Sequence, residues 1–285
     1  MTPIKLFFNL LILISIAACA VQSSLPEFTP TPSPTPTPEW TLVWGDEFDL
    51  PDASPPDPSF WNHSTGGSGW GNAEIQYYSN RIDNAFIQDG MLVIRALEEE
   101  YMGLKYSSAR INTMVKAEFQ YGRFEARAKL PNTQGIWPAI WMMPTIARYG
   151  NWPASGEIDI MEMIGSQPGT VHGTLHYGTP HEYKTGTYVL PNGETLDQDF
   201  HIFTVEWEPD EIRWYMDGIQ YHQVDEWFTS HSKASELAPF DQPFHLILNV
   251  AVGGRWPGYP DETSVFPQEM IIDYIRVYQK GVSDN

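Results

Sequence analysis

Phe203-Thr204-Val205-Glu206-Trp207-Glu208-Pro209-Asp210-Glu211-Ile212-Arg213-Trp214-Tyr215-Met216-Asp217-Gly218 contains two alternating apolar runs. Phe203, Val205 and Trp207 share one face of the first run, and Ile212, Trp214 and Met216 share one face of the second. Side chains repeat their direction every second residue only in an extended chain, so both runs read as strands with one buried face. Asp217-Gly218 then offers the positive backbone angles of a two-residue hairpin turn. Residues 86–94 use the same device, with Asp89-Gly90 between two short apolar runs. From Trp40 onward, similar runs are broken by Gly, Asn, Asp and Pro. Only residues 233–237 invite a helical reading, which Pro239 limits to about a turn or two. No period of about 20–50 residues repeats, which weighs against propellers and solenoids. The pattern predicts an all-β protein of two packed antiparallel sheets.

Length and charge narrow the possibilities further. A chain of 285 residues can hold one large sandwich domain. Its 36 acidic and 16 basic residues give a formal net charge of −20. Such a field repels nucleic acid and anionic lipid and argues against polyanionic substrates, leaving a neutral ligand as the better fit. Aromatic residues make up 14% of the chain, including 11 Trp and 14 Tyr. Flat rings suit the apolar faces of sugars, although a large β core also favours them.

The single cysteine, Cys19, excludes an intrachain disulfide and a Cys-based metal site. Lys5, the apolar residues 6–16 and the small residues Ala17-Ala18 precede it, which resembles a bacterial lipoprotein signal peptide. The resemblance implies cleavage before Cys19 and lipid attachment there; an ordinary secretory signal with an incidental cysteine is the competing reading. Residues 29–38 alternate Thr or Ser with Pro, as a semi-rigid spacer does. The expected organisation is therefore a signal peptide over 1–18, a lipidated cysteine and spacer over 19–39, and a folded domain over 40–280. The expected location is extracytoplasmic, on the bacterial cell envelope, with membrane contact only through the anchor.

Ser155-Gly156-Glu157-Ile158-Asp159-Ile160-Met161-Glu162-Met163-Ile164 sets three acids in an otherwise apolar strand. In regular alternation Glu157 and Asp159 share one face, while Ile158, Ile160 and Glu162 share the other. Burying Glu162 in the core would be costly. A β-bulge between Asp159 and Glu162 returns Glu162 to the face of the other acids and leaves the isoleucines inside. Close acids repel, so at least one pKa should be raised, as suits a general acid near neutral pH. Retaining glycosidases need two carboxyl groups about 5–5.5 Å apart, which neighbouring positions on one strand supply. An exposed acidic edge or a cation site is the bland alternative.

Glu-Ile-Asp-Ile-Met-Glu, preceded by Trp-Pro-Ala-Ser-Gly, resembles the active-site signature of glycoside hydrolase family 16 in its bulged, laminarinase-like form. Further similar segments run from Trp44-Gly45-Asp46-Glu47-Phe48 to Asp273-Tyr274-Ile275-Arg276-Val277-Tyr278, covering essentially everything after the spacer. The resemblance implies a jelly-roll β-sandwich of two curved antiparallel sheets, of the concanavalin A-like type. It also implies Glu157 as nucleophile, Glu162 as acid/base and Asp159 as the residue that assists between them. Asn72, Arg110 and Trp137 would contact the sugar before the scissile bond, with Trp141 and Trp152 nearby. Trp137 and Trp141 read equally well as packed strand residues. In the next strand His172, Thr174 and His176 share a polar face, and His176 is the one expected to hydrogen-bond a catalytic carboxylate, with an ordinary hydrogen-bonded histidine beside the site as the competing reading. Bacterial family members often carry calcium on the outer side of the sandwich, which here would fall to Glu47, the Gly90 carbonyl and Asp273; plain surface acids at Glu47 and Asp273 are the competing reading. No catalytic cofactor is expected, and zinc is disfavoured.

The activity implied is internal hydrolysis of β-1,3-glucan of the laminarin type by a monomer, extending to mixed β-1,3/1,4-glucan. A non-catalytic β-glucan-binding protein and a transglycosylase on the same fold are the alternatives. Both catalytic glutamates and Asp159 are present, which weighs against binding alone.

Overall fold

The structure, a computed structural model, describes residues 40–231 and 233–281. The expectations for residues 1–39, including Cys19 and the Thr/Pro spacer, lie outside the described residues.

Two sheets form the jelly-roll sandwich. The ten-stranded sheet runs through Ile219–Val224, Glu211–Met216, His201–Glu208, Gly122–Lys129, Gln268–Lys280, Met91–Tyr101, Leu104–Ser108 and Gln76–Tyr78. Trp40–Asp46 and Ala85–Gln88 pair alongside it. The eight-stranded sheet runs through Glu182–Val189, Thr170–Tyr177, Glu157–Glu162, Ile136–Pro144, Phe244–Val252, Arg110–Asn112 and Asn62–His63, with Glu118–Phe119 beside Phe244–Val252. Pairing is antiparallel except where Gln76–Tyr78 runs parallel to Leu104–Ser108.

The alternation read from the sequence is the alternation that packs. Phe203, Val205, Trp207, Ile212, Trp214 and Met216 are all at most 1% exposed and form one core with Ile140, Ile158, Leu175 and Leu248 of the opposite sheet. Each such side chain contributes about 1.5–3 kcal/mol through burial. Asp89-Gly90 and Asp217-Gly218 make tight hairpin turns, with positive φ at all four residues. Phe244–Val252 is buried along its whole length, because one face meets the core and the other lies under the cleft wall.

The helical reading of residues 233–237 is not met. The described residues there form turns, and the only helical piece among the described residues is the 3-10 turn Pro191–Gly193. The Leu237 carbonyl, which a helix would use internally, accepts from Trp227 Nε1 at 3.0 Å. Pro239 cannot continue a helix, and fully buried Phe240 draws the chain into the core immediately afterwards.

Candidate active site

The cleft is built on the Glu157–Glu162 strand. Against the following strand, Asp159 pairs with Thr174 and Glu162 with His172, so Ile160 and Met161 together oppose Gly173. Against the preceding strand the register slips at the same place. This bulge sends Ile158, Ile160 and Met161 into the core, at 0%, 2% and 0% exposure, and turns Glu157, Asp159 and Glu162 together into the cleft. The opposite sheet supports the distortion, because Trp214 Nε1 donates to the Asp159 carbonyl at 2.8 Å. Gly173 leaves room for that indole, since a Cβ there would collide with the Trp214 ring and the Tyr221 hydroxyl.

Burial dominates the electrostatics of the three acids. Loss of water, then repulsion from Asp159, pushes the Glu162 carboxyl up to about 8. A hydrogen bond from Trp137 Nε1 to Glu162 Oε1, 3.0 Å long, works against that rise. Glu157 is raised well above the usual carboxylate range by burial and by Asp159 and Glu162, with His176 and Arg110 opposing. Asp159 is also raised by burial, and its Oδ2 has no hydrogen-bond partner among the described residues. His176 Nε2 lies 3.3 Å from that oxygen and 3.8 Å from Glu157 Oε1. Glu162 is therefore held protonated near neutral pH, as the acid of an acid/base pair requires.

A polar network and a set of indoles build the rest of the cleft. Arg110 is clamped between Trp70 and Trp141, with its Cζ 4.7 Å and 4.6 Å from their ring centroids, and its Nε has no partner among the described residues. Trp141 Nε1 donates to Asn249 Oδ1 at 2.8 Å, Asn249 Nδ2 donates to the Tyr78 hydroxyl at 3.2 Å, and that hydroxyl donates to Glu74 Oε2 at 3.0 Å. Asn72 Nδ2 donates to the other Glu74 oxygen at 3.2 Å, leaving the Asn72 side-chain carbonyl free to accept. Trp152, half exposed, packs on His181 at a centroid distance of 4.8 Å.

The cleft encloses about 620 Å³, and Asn72, Arg110, Trp137, Trp141, Trp152 and His176 all line it together with the three acids. Trp137 and Trp141 lie on the cleft side of their strand, while Ile136, Ile140 and Met142 of the same strand face the core. The sequence reading did not single out Trp70, Glu74, Asn249, Arg255 or Trp256, which also line the cleft. Trp256 meets Trp137 edge-on at 5.3 Å and His172 at 5.1 Å. Its signal was its place just after Gly253-Gly254, both at positive φ, where the chain turns out of the sheet.

Of the residues expected to hold calcium, Glu47 directly follows the strand Trp40–Asp46, Gly90 sits in a hairpin turn and Asp273 lies in the strand Gln268–Lys280, all belonging to the ten-stranded sheet. Glu47 is forked by Arg276 through two hydrogen bonds of 2.8 Å, and Asp273 Oδ2 accepts from Arg127 Nη1 at 2.6 Å. Two carboxylates and a carbonyl suit a hard cation, but a cation drawing on Glu47 would compete with the Arg276 guanidinium for its oxygens.

A β-sandwich cleft walled by indoles, with two glutamates flanking an aspartate on one strand, defines a glycoside hydrolase. Residues 70–276 match the family model described as glycosyl hydrolases family 16, and the chain belongs to that family. It is 46% identical over 252 residues to a beta-glucanase of Rhodothermus marinus, covering 84% of this chain and 85% of the relative. To glucan endo-1,3-beta-glucosidase A1 of Niallia circulans it is 42% identical over 260 residues, covering 84% of this chain but 38% of that longer protein. The X-ray structure of the laminarinase from Rhodothermus marinus superposes with a TM-score of 0.78 at 45% identity, covering 86% of this chain and 99% of the other.

Proposed function

We propose that the chain hydrolyses β-1,3-glucan internally, by double displacement with retention of configuration. The observation that carries this reading is the bulge, which places Glu157, Asp159 and Glu162 together in an open cleft walled by indoles. Relatives named as a beta-glucanase, an endo-1,3-beta-glucosidase and a laminarinase support the substrate class. In the first half-reaction Glu157 attacks the anomeric carbon while protonated Glu162 hands its proton to the leaving oxygen. Glu162, now a carboxylate and steadied by the Trp137 indole, takes a proton from water in the second, and that water releases the sugar. Asp159 lies between them, where its charge state sets how readily each neighbour ionises. Arg110 moderates the negative charge of Glu157 and, with Asn72, offers polar groups to sugar hydroxyls.

The test is product analysis after incubation with laminarin, mixed-linkage β-glucan, agarose and carrageenan, with Glu157→Gln as control. A ladder of short oligosaccharides from laminarin, absent with the variant, is the expected result. A folded protein that cuts none of them overturns the substrate assignment, and chains longer than the substrate identify a transglycosylase.

Three further features of the reading rest on sequence alone. The chain is tethered to the bacterial envelope by lipid at Cys19, its domain stands off on the spacer of residues 19–39, and it acts as a monomer. A calcium ion bound by Glu47, the Gly90 carbonyl and Asp273 would have a structural role, with no part in the chemistry.

A further inference from the structure

His176 touches the acid cluster with one ring nitrogen and a second histidine with the other. Its Nδ1 lies 2.9 Å from His181 Nε2. His181 is exposed, on the turn between the strands Thr170–Tyr177 and Glu182–Val189, and its ring lies against His176, Trp152 and Tyr183. Two bare ring nitrogens cannot bond to each other, so one hydrogen sits between them and its position fixes the tautomer of His176. At the other end, Asp159 Oδ2 is buried, has no hydrogen-bond partner among the described residues and lies 3.3 Å from His176 Nε2. A continuous line of titratable atoms thus joins the most deeply buried acid of the cleft to water.

Building on the glycosidase reading, we propose that His181 is the solvent end of a proton relay, Asp159 to His176 to His181, through which the acid cluster exchanges protons with bulk water. In the outward direction the Asp159 Oδ2–H bond breaks as the His176 Nε2–H bond forms. The His176 Nδ1–H bond breaks as the His181 Nε2–H bond forms, and the His181 Nδ1 proton passes to water. One proton leaves, Asp159 becomes a carboxylate, both imidazoles end neutral, and no electrons change hands. Entry of a proton is the reverse. The charged and titratable groups around the line are Glu157, Asp159 and Glu162 of the catalytic strand, Arg110 across the cleft, and Glu182 and Tyr183 beside His181. Burial and the neighbouring His176 hold His181 below the usual histidine range, so it accepts a proton transiently and does not store it.

His181 acts through His176 and is a positioning residue, so the test must separate relay from packing. His181→Phe keeps a ring against Trp152 and Tyr183 but removes the acceptor. In the full chain acting on laminarin, His181→Phe should lower kcat about tenfold, the scale of one lost hydrogen bond, with KM held. It should also displace the basic limb of the kcat profile across about pH 4 to 9. Added imidazole should restore much of the lost rate to His181→Ala. Wild-type kcat and pH profile in His181→Phe overturn the relay, as does a raised KM at constant kcat, which would make His181 a sugar platform. Failure of imidazole to restore His181→Ala also overturns it. Wild-type protein that leaves laminarin intact strikes the glucanase reading instead, so the two failures are told apart.

Discussion

Neutralising Glu162 should stabilise the fold while it disables the chemistry. The Glu162 carboxyl is pushed up to about 8 from 4.5. An acid raised on folding binds its proton more tightly in the native state, so its contribution is fully favourable below about pH 4.5 and is lost as pH rises towards about 8. At about 1.36 kcal/mol per pH unit the ceiling is near 5 kcal/mol, and partial access to solvent reduces it to about 2 kcal/mol. Glu162→Gln keeps the shape and can still accept from Trp137 Nε1, but it has no charge to desolvate and none to repel Asp159. For a domain of this size about 2 kcal/mol corresponds to a rise in Tm of about 4–8 °C at pH ~8, shrinking to nearly nothing at pH ~4. Thermal melts of both proteins at the two pH values make the comparison, and glucan hydrolysis should fall about 10²- to 10⁴-fold in parallel. A Tm difference of the same size at both pH values, or a variant less stable at pH ~8, would refute the argument that Glu162 is a buried, strained acid.

Trp137→Phe removes the donor that opposes the rise of Glu162, so the basic limb of kcat/KM should move up by about one pH unit; a limb that stays or moves down contradicts the assignment of Glu162 as the general acid. Gly173→Ala drives a methyl into the Trp214 indole and the Tyr221 hydroxyl, with an expected loss of about 3 kcal/mol in urea unfolding. An unchanged midpoint there would mean that the bulge does not depend on close packing against the opposite sheet.

How legible the site was depended on whether a residue's constraint was local. The bulge could be inferred because Glu162 cannot be buried and Ile158 and Ile160 cannot be exposed without cost, a conflict contained in six consecutive residues. Both Asp-Gly hairpins were legible for the same reason, since the dipeptide carries its own backbone requirement. The role of Trp137 was not, because a tryptophan in an apolar run carries no mark of whether its N–H will meet a sugar or a carboxylate 25 positions away. Trp256 joins the cleft only because Phe244–Val252 pairs with Ile136–Pro144, a register between distant segments. The false helix at residues 233–237 came from local propensity, which tertiary demand for Phe240 and the Leu237 carbonyl overrode.

The sheet that carries no catalytic acid nevertheless shapes the one that does. A bulge frees a backbone carbonyl from the ladder, and a buried carbonyl without a donor costs about 1–3 kcal/mol. Here the Trp214 indole, in the sheet across the core, satisfies the Asp159 carbonyl, and that indole fits only because residue 173 has no side chain. Trp214 sits in a hairpin recognised by its alternation and Asp-Gly turn, so the same pattern that identifies the sandwich also positions the support for the distortion. The spacing of Glu157 and Glu162 is thus a property of both sheets, and loosening Trp214 should impair catalysis even while every group in the cleft is intact.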